Sequence, residues 1–190
     1  MNDDLKLAVI TGSTRKGRSG GPLVSRWIVD RAKQDGRFGI DWIDLADLNL
    51  PSDFDEENYP HVGELGARLK EADAFIVVTS ELNHSYPASL KNAIDLYRDE
   101  WAGKPVALAS YGGNAGGQRA AEHLRQVFPE VAALTVRDTL TFVNYWEKFD
   151  EQGQPVDAEG TAGALTRLLD QVEWWARPLK QNRTVDPYRW

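Results

Sequence analysis

The sequence predicts a single α/β domain over residues 1–190, in which a five-stranded parallel sheet of order 2-1-3-4-5 carries helices on both faces. Two observations lead to this prediction. Short apolar runs alternate along the chain with segments whose apolar residues recur at helical spacing, as in repeated strand–helix units. The run at residues 74–79 is almost continuously apolar, which is typical of a central parallel strand covered on both sides.

The alternation predicts strands at residues 5–10, 40–45, 74–79, 106–110 and 131–136. Apolar spacing predicts helices near residues 23–32, 62–72, 90–97, 120–127 and 165–175. Irregular structure is expected at residues 51–60, at 139–155 and in the tail 176–190, which contains two prolines. Right-handed crossovers and this number of strands favour the order 2-1-3-4-5, in which the loops after strands one, three and four meet at one edge.

The composition excludes several classes of function. The formal net charge of −7 argues against a general nucleic-acid-binding surface. The absence of cysteine excludes disulfides, thiolate catalysis and cysteine-ligated metals, and the three histidines are too scattered in sequence to predict a metal site. Neither a signal-peptide pattern nor an apolar run of membrane-spanning length is visible, so we expect a cytoplasmic protein with no membrane partner.

The loop after the first strand has the composition of an anion site. Residues 12–19 read Gly-Ser-Thr-Arg-Lys-Gly-Arg-Ser and lie directly before a predicted helix, whose free N–H groups favour a phosphate. Ser13, Arg15, Arg18 and Ser19 are therefore predicted to hold a phosphate monoester. The same loop nearly matches the pattern G-x-x-x-x-G-K-[ST], with Arg18 in place of the lysine, so a P-loop phosphotransferase remains an alternative.

Two more distinctive loops follow strands three and four. After strand three, the polar turn Glu81-Leu82-Asn83-His84 leads to Pro87, which is predicted to start a helix. After strand four, Ser110-Tyr111-Gly112-Gly113 opens a segment with several glycines, through which a backbone can approach a flat ring closely. The ring of Tyr111 could stack on such a ligand or pack beside it.

These three loops resemble those of the NADPH-dependent FMN reductase family, which includes quinone, chromate and azo-dye reductases. The second loop and the helix after it resemble the family segment P-E-Y-N-x-S-x-P-G-x-L-K-N-A-[IL]-D, and the likeness extends from about residue 5 to 157. Ser80, Leu82 and Ala88 depart from that pattern, at positions where the family usually has proline, tyrosine and glycine. The matching residues are Gly12-Ser13-Thr14-Arg15 with Arg18; Asn83, Ser85, Pro87 and residues 90–95; and Gly103-Lys104-Pro105-Val106 with Tyr111-Gly112-Gly113 and Gly116-Gly117.

The resemblance implies a flavodoxin-like fold and an enzyme that passes electrons from NADPH or NADH through FMN to a flavin, a quinone or another small acceptor. The chemistry then takes place on the flavin, so no catalytic side chain is required. His84 is a candidate proton donor or nicotinamide contact, whereas His61 and His123 are expected on the surface without a role. The implied flavin contacts are Ser13, Arg15, Arg18, Ser19, Glu81, Leu82, Asn83, His84, Ser110, Tyr111, Gly112 and Gly113.

Two further expectations concern partners and the competing function. The seven tryptophans, of which Trp174 and Trp175 should face opposite ways on the last helix, favour a homodimer or homotetramer, as the resemblance also does. The departures at Ser80, Leu82 and Ala88 motivate a second hypothesis, an electron-carrier or binding module without NAD(P)H turnover.

Overall fold

Five parallel strands form one sheet in the order β2-β1-β3-β4-β5, which confirms the predicted order. The computed structural model describes residues 5–15, 20–53 and 59–190, and the structural statements below concern those residues. The strands are β1 (Leu5–Thr11), β2 (Phe38–Asp44), β3 (Ala74–Ser80), β4 (Pro105–Gly112) and β5 (Leu134–Val143). The helices are α1 (Gly20–Asp35), α2 (Pro60–Glu71), α3 (Ala88–Asp95), α4 (Gln118–Glu130) and α5 (Ala158–Val185).

The side chains of the strands alternate between two hydrophobic cores, one on each face of the sheet. In β3, Ala74, Ile76 and Val78 pack into one core, whereas Phe75 and Val77 pack into the other. Residues of α1 and α5 complete the first core, and residues of α2, α3 and α4 complete the second. The apolar run of β3 is therefore explained by burial on both faces.

The fifth strand was predicted at residues 131–136 and lies at Leu134–Val143, so its predicted bounds were wrong, as was the expectation that residues 139–143 are irregular. The register against β4 shifts between Val106 and Leu108, which leaves a bulge in β5. Arg125 of α4 holds the bulge by donating hydrogen bonds to the carbonyls of Val136 and Arg137 at 2.6 and 2.8 Å and to the Thr139 hydroxyl at 2.8 Å. The polar residues of the bulge interrupt the alternation of apolar and polar residues, so the sequence pattern did not predict the second half of the strand.

The irregular tail predicted at 176–190 was wrong over residues 176–185, because α5 continues to Val185 and passes through Pro178, whereas residues 186–190 are irregular as predicted. The carboxylate of Asp73 holds the last turns of α5 by forming ion pairs with the Lys180 ammonium at 3.0 Å and the Arg183 guanidinium at 3.1 Å. These ion pairs stabilise a helical segment that lacks a clear apolar stripe of its own. Although α5 is 28 residues long, neither it nor another helix among the described residues is apolar enough to cross a membrane.

Candidate functional site

The three loops singled out in the sequence lie at the carboxyl edge of the sheet, where β1 and β3 lead to opposite sides of the strand order. Such a switch point is the usual ligand crevice of open parallel sheets. The loop after β1 is anchored to its neighbours: the Gly12 N–H donates to the Val78 carbonyl at 2.9 Å, and the Ser89 hydroxyl donates to the Gly12 carbonyl at 2.9 Å. The first loop is thereby held against β3 and α3.

A buried hydroxyl network positions the start of this loop. The Thr11 hydroxyl donates to the Ser25 hydroxyl of α1 at 2.7 Å and accepts a hydrogen bond from the Trp42 indole N–H at 3.0 Å. Both Thr11 and Ser25 are fully buried. The contacts join β1, β2 and α1 directly below the predicted phosphate site.

Ser13 and Arg15 have the chemistry that the phosphate prediction requires. Ser13 is only 7 % exposed, and its hydroxyl makes no hydrogen bond within the part of the chain that the structure describes. Arg15 is exposed, and among the described residues its guanidinium forms no ion pair. A buried hydroxyl that makes no hydrogen bond costs free energy of folding, unless a ligand supplies the missing partner. The other two predicted contacts, Arg18 and Ser19, lie outside the described residues.

The second loop is a tight turn with unusual backbone angles. Leu82 and Ser85 exchange N–H to carbonyl hydrogen bonds of 2.8 and 3.1 Å across Asn83 and His84, whose φ angles are +48° and +75°. Positive φ at both central residues is the signature of a type I′ turn, and asparagine and histidine tolerate that region better than most residues. Within the described residues, the N–H groups of Asn83 and His84 donate no hydrogen bond, so two adjacent amides remain available.

The carboxylate of Glu81 ties the second loop to α4. It accepts hydrogen bonds from the Arg119 guanidinium at 2.7 Å and from the Arg119 backbone N–H at 3.3 Å, in the first turn of that helix. The positive end of the helix dipole adds to this attraction. The side chain of Glu81 therefore has a structural partner, which leaves its backbone for a ligand.

The third loop requires glycine at two positions. Gly116 and Gly117 have φ angles of +59° and +84°, and a Cβ at Gly117 would lie 2.9 Å from the Tyr111 nitrogen. The hydroxyl of Ser110 is buried and lies 3.3 Å from the Thr141 hydroxyl. Gly113 is exposed and has no side chain to block an approaching ring.

The ring of Tyr111 is buried and presents no exposed face, which argues against the predicted role of stacking on a flat ligand. Tyr111 is 5 % exposed, and its ring makes an edge contact with Tyr145 at 5.3 Å between centroids. A Cβ at Gly20 would lie 2.6 Å from the same ring, so glycine at the start of α1 makes room for it. Only the backbone of Tyr111 remains for contact with a flat ligand.

The sequence missed two residues that the fold brings to this edge. His123 of α4 is exposed, as expected, but its Nδ1 lies 2.9 Å from the Ser85 hydroxyl and its ring 6.4 Å from that of His84, so it neighbours the second loop. Trp146 is 58 % exposed and lies 3.7 Å from the position a Cβ would take at Gly113. A clue for His123 was its place on the helix that follows the third loop; nothing in the local sequence marked Trp146.

A second group of charges lies at the amino edge of the sheet. Lys104 is buried and donates to the carbonyls of Leu69 and Lys70 at 2.7 and 3.0 Å, at the end of α2. Burial, reinforced by the nearby Arg183 cation, lowers the pKa of Lys104 to about 7, although the Asp73 carboxylate acts in the opposite direction. This group stabilises the fold far from the loops, and no cluster of three metal-ligating side chains occurs among the described residues.

Comparison with known proteins identifies the family. The sequence model of the NADPH-dependent FMN reductase family matches residues 5–147. The chain belongs to this family. An NAD(P)H-dependent FMN reductase of Schizosaccharomyces pombe is 36 % identical over 148 residues, which are 69 % of this chain and 73 % of the relative. An NADPH:quinone oxidoreductase of Arabidopsis thaliana is 35 % identical over 175 residues, covering 87 % of this chain and 88 % of the relative.

Solved structures agree with the family. The NAD(P)H:(acceptor) oxidoreductase FerB of Paracoccus denitrificans has a TM-score of 0.74 at 25 % identity and covers 90 % of this chain and 98 % of its own. A flavodoxin of Pseudomonas aeruginosa, at 19 % identity, has a TM-score of 0.57 over 89 % of this chain and 99 % of its own, which confirms the flavodoxin-like fold. As a member of the FMN reductase family, the chain is an oxidoreductase that uses FMN and NAD(P)H, which excludes the P-loop alternative and the carrier without turnover.

Proposed function

We propose that the three loops at the carboxyl edge hold FMN, and that the enzyme reduces a quinone or a free flavin at the expense of NAD(P)H. The overall reaction with a quinone is NAD(P)H plus a proton plus quinone giving NAD(P)⁺ and hydroquinone, which transfers two electrons. FMN, when bound, supplies the redox chemistry by accepting hydride from the nicotinamide and passing the electrons on. The protein's own residues bind and orient the cofactor and the substrates, and they exclude water from the site.

The phosphate end of the cofactor is assigned to the first loop. Ser13 would donate its buried hydroxyl, and Arg15 would supply a charge-assisted hydrogen bond. Arg18 and Ser19 stay predicted contacts from the sequence, with the N-terminus of α1 as a further source of N–H donors. The observation that carries the proposal is the buried Ser13 hydroxyl, which lacks a partner among the described residues beside an exposed arginine.

The ring end is assigned to the second and third loops. We assign the available amides of Asn83 and His84 to the polar edge of the heterocycle. The backbones of Glu81 and Leu82 line the same side of the site. The opposite side is assigned to Gly112 and Gly113, preceded by Ser110 and Tyr111, whose side chains are occupied in the core and whose backbone remains. Donors aimed at the ring would stabilise the extra negative charge of its reduced form.

We assign His84 a second role, in proton delivery. A quinone that accepts two electrons also needs protons, and the exposed His84 ring lies on the turn assigned to the heterocycle edge. Replacing His84 with glutamine tests this role: loss of a pH-dependent phase of quinone turnover, with FMN affinity unchanged, would support it. A pH profile identical to that of the wild type would assign His84 to the backbone turn alone.

The decisive measurement is a titration of FMN fluorescence with the purified protein and three variants. We expect Arg15→Ala to weaken FMN about tenfold, because a hydrogen bond to a charged group contributes about 1.5 kcal/mol or more. Ser13→Ala should weaken FMN binding about fivefold, because it also removes a hydrogen bond to the charged phosphate, but one from a neutral donor. Arg31→Ala is the matched control, since it removes the same charge from an exposed α1 residue that bonds Gln34 in its own helix.

Two outcomes would contradict the proposal. Colourless protein that leaves FMN fluorescence unchanged would exclude the cofactor site. Equal weakening by Arg15→Ala and Arg31→Ala would show that only net charge matters and that Arg15 makes no local contact. The homodimer or homotetramer and the cytoplasmic location stay predictions from the sequence.

A further inference from the structure

The carboxyl edge exposes two large apolar side chains beside the glycines of the third loop. Leu82 of the second loop is 48 % exposed, and Trp146, after β5, is 58 % exposed. On one side, the Cβ of Glu81, the neighbour of Leu82, lies 3.9 Å from the position of a Cβ at Gly112. On the other, Trp146 lies 3.7 Å from the position of a Cβ at Gly113. The glycines therefore lie between the second loop and an exposed indole.

The backbone of Trp146 is held in place by hydrogen bonds. Trp146 lies in a 3-10 turn, Tyr145–Glu147, whose first residue follows Asn144 in a left-handed conformation with φ of +47°. The Asn144 N–H donates to the Gly113 carbonyl at 3.2 Å, and the Glu147 N–H donates to the Asn144 carbonyl at 2.8 Å. The turn that carries Trp146 is thus bonded directly to the third loop.

The indole of Trp146 packs against one tyrosine, which in turn packs against a second, buried tyrosine. Trp146 makes an edge contact with Tyr145 at 5.4 Å between ring centroids, and Tyr145 makes an edge contact with the buried Tyr111 at 5.3 Å. The series connects the exposed indole to the core through two rings. An aromatic side chain that is exposed yet supported in this way is pre-organised to contact a ligand, because little side-chain entropy is lost on binding.

We propose that Trp146 selects planar acceptors that carry an aromatic ring, such as naphthoquinones, by packing against the face of the acceptor when it lies over Gly113. This inference rests on the proposed function, because it takes the glycine loop as one wall of the flavin site. Continuity with that loop favours a small planar ligand over a second copy of the chain. An offset-stacked aromatic pair is worth about 0.5–1.5 kcal/mol, or about a two- to tenfold change in affinity.

Two acceptors of different shape separate this role from a general effect on catalysis. A naphthoquinone is flat and takes two electrons with two protons. Ferricyanide is octahedral, has no aromatic face and takes one electron, so one NAD(P)H reduces two ferricyanide ions and releases one proton. Stacking on Trp146 would favour the first acceptor and leave the second unaffected.

The experiment compares Trp146→Ala and Trp146→Phe with Trp174→Ala as the matched control. Trp174 is 65 % exposed on α5, and the control removes an equally exposed indole. We expect Trp146→Ala to raise the KM for naphthoquinone about five- to tenfold, with kcat and the KM for ferricyanide within twofold of the wild type. Trp146→Phe should recover part of the loss. Quenching of protein fluorescence by naphthoquinone, measured without NAD(P)H, should weaken by the same factor.

Three results would overturn the inference. Equal changes of KM for both acceptors would show a general effect on the site, and unchanged quinone KM and quenching would show no contact. A change of sedimentation coefficient in Trp146→Ala, without acceptor selectivity, would assign Trp146 to a subunit interface. Wild-type protein that binds no FMN would instead refute the proposed function, so that failure is distinguishable from the failure of this inference.

Discussion

The conformation of Gly117 offers a sharp test of how the third loop is built. Gly117 has a φ of +84°, and an added Cβ would lie 2.8 Å from the Cβ of Ser110 and 2.9 Å from the Tyr111 nitrogen. Gly36 has a similar φ of +78°, but nothing lies within 4 Å of its Cβ position. Gly117→Ala therefore combines backbone strain with a collision, whereas Gly36→Ala introduces backbone strain alone.

The structure lets the two costs be separated. A left-handed residue with a side chain costs about 1–2 kcal/mol, which both variants incur. Gly117→Ala adds about 1–3 kcal/mol, because the colliding atoms belong to Ser110 and to the Tyr111 backbone within β4 and have little freedom to move. At about 2–4 °C per kcal/mol for a chain of this size, Gly36→Ala should lower the Tm by about 4 °C and Gly117→Ala by about 10 °C.

Thermal unfolding followed by circular dichroism measures the stability difference, and FMN fluorescence titration measures the effect on the site. We expect Gly117→Ala to weaken FMN at least tenfold, since relief of the collision displaces Tyr111 and the loop beside it, while Gly36→Ala leaves FMN affinity unchanged. Equal losses of Tm in the two variants would refute the packing argument. A large loss of Tm in Gly117→Ala with normal FMN affinity would refute the assignment of this loop to the cofactor.

Three further predictions concern stability away from the loops. Asp73→Ala should lower the free energy of unfolding, measured by urea titration, by about 3 kcal/mol and expose the end of α5 to limited proteolysis, because it removes the carboxylate that both Lys180 and Arg183 contact. Glu71→Ala, which removes an exposed ion pair, should cost under about 1 kcal/mol in the same titration. Burial holds the pKa of Lys104 at about 7 in the folded chain, against 10.5 in the unfolded chain, so between these pH values the unfolded chain binds more protons and the contribution of Lys104 to stability rises with pH. Lys104→Met should flatten that rise in urea titrations at several pH values. Parallel curves of stability against pH for the variant and the wild type would contradict the lowered pKa. Arg125→Lys should lower the free energy of unfolding by about 2 kcal/mol, since a lysine cannot reach all three acceptors of the β5 bulge. Arg137→Lys, on the exposed side of the bulge, should leave the free energy of unfolding from chemical denaturation nearly unchanged.

The parts of the fold that the sequence predicted correctly depend on local patterns. β3 was recognisable because both of its faces are buried, which makes every residue apolar from Ala74 to Val78. The helix after Pro87 was recognisable because proline is tolerated at a helix start, and α3 does begin at Ala88. The sheet order followed because few connections between strands of this spacing are right-handed and uncrossed.

The features that were missed depend on contacts between different elements of the fold. β5 extends past its bulge because Arg125 satisfies the carbonyls of Val136 and Arg137, and α5 extends to Val185 because its cations pair with Asp73, directly before β3. Local periodicity carries no information about partners in other elements, whether they are 11 residues away, as for Arg125 and Val136, or 110 residues away, as for Asp73 and Arg183.

The sequence by itself determined the chemistry of the first loop: a hydroxyl, an arginine and glycines between a strand and a helix, in a chain whose pattern predicts a parallel sheet. Only the tertiary structure decided which groups are free to act. It buried the ring of Tyr111, engaged the carboxylate of Glu81 with Arg119 and placed Trp146 beside Gly113. Residue type sets what a side chain can bind, but burial and the neighbours supplied by other elements determine whether that capacity remains available.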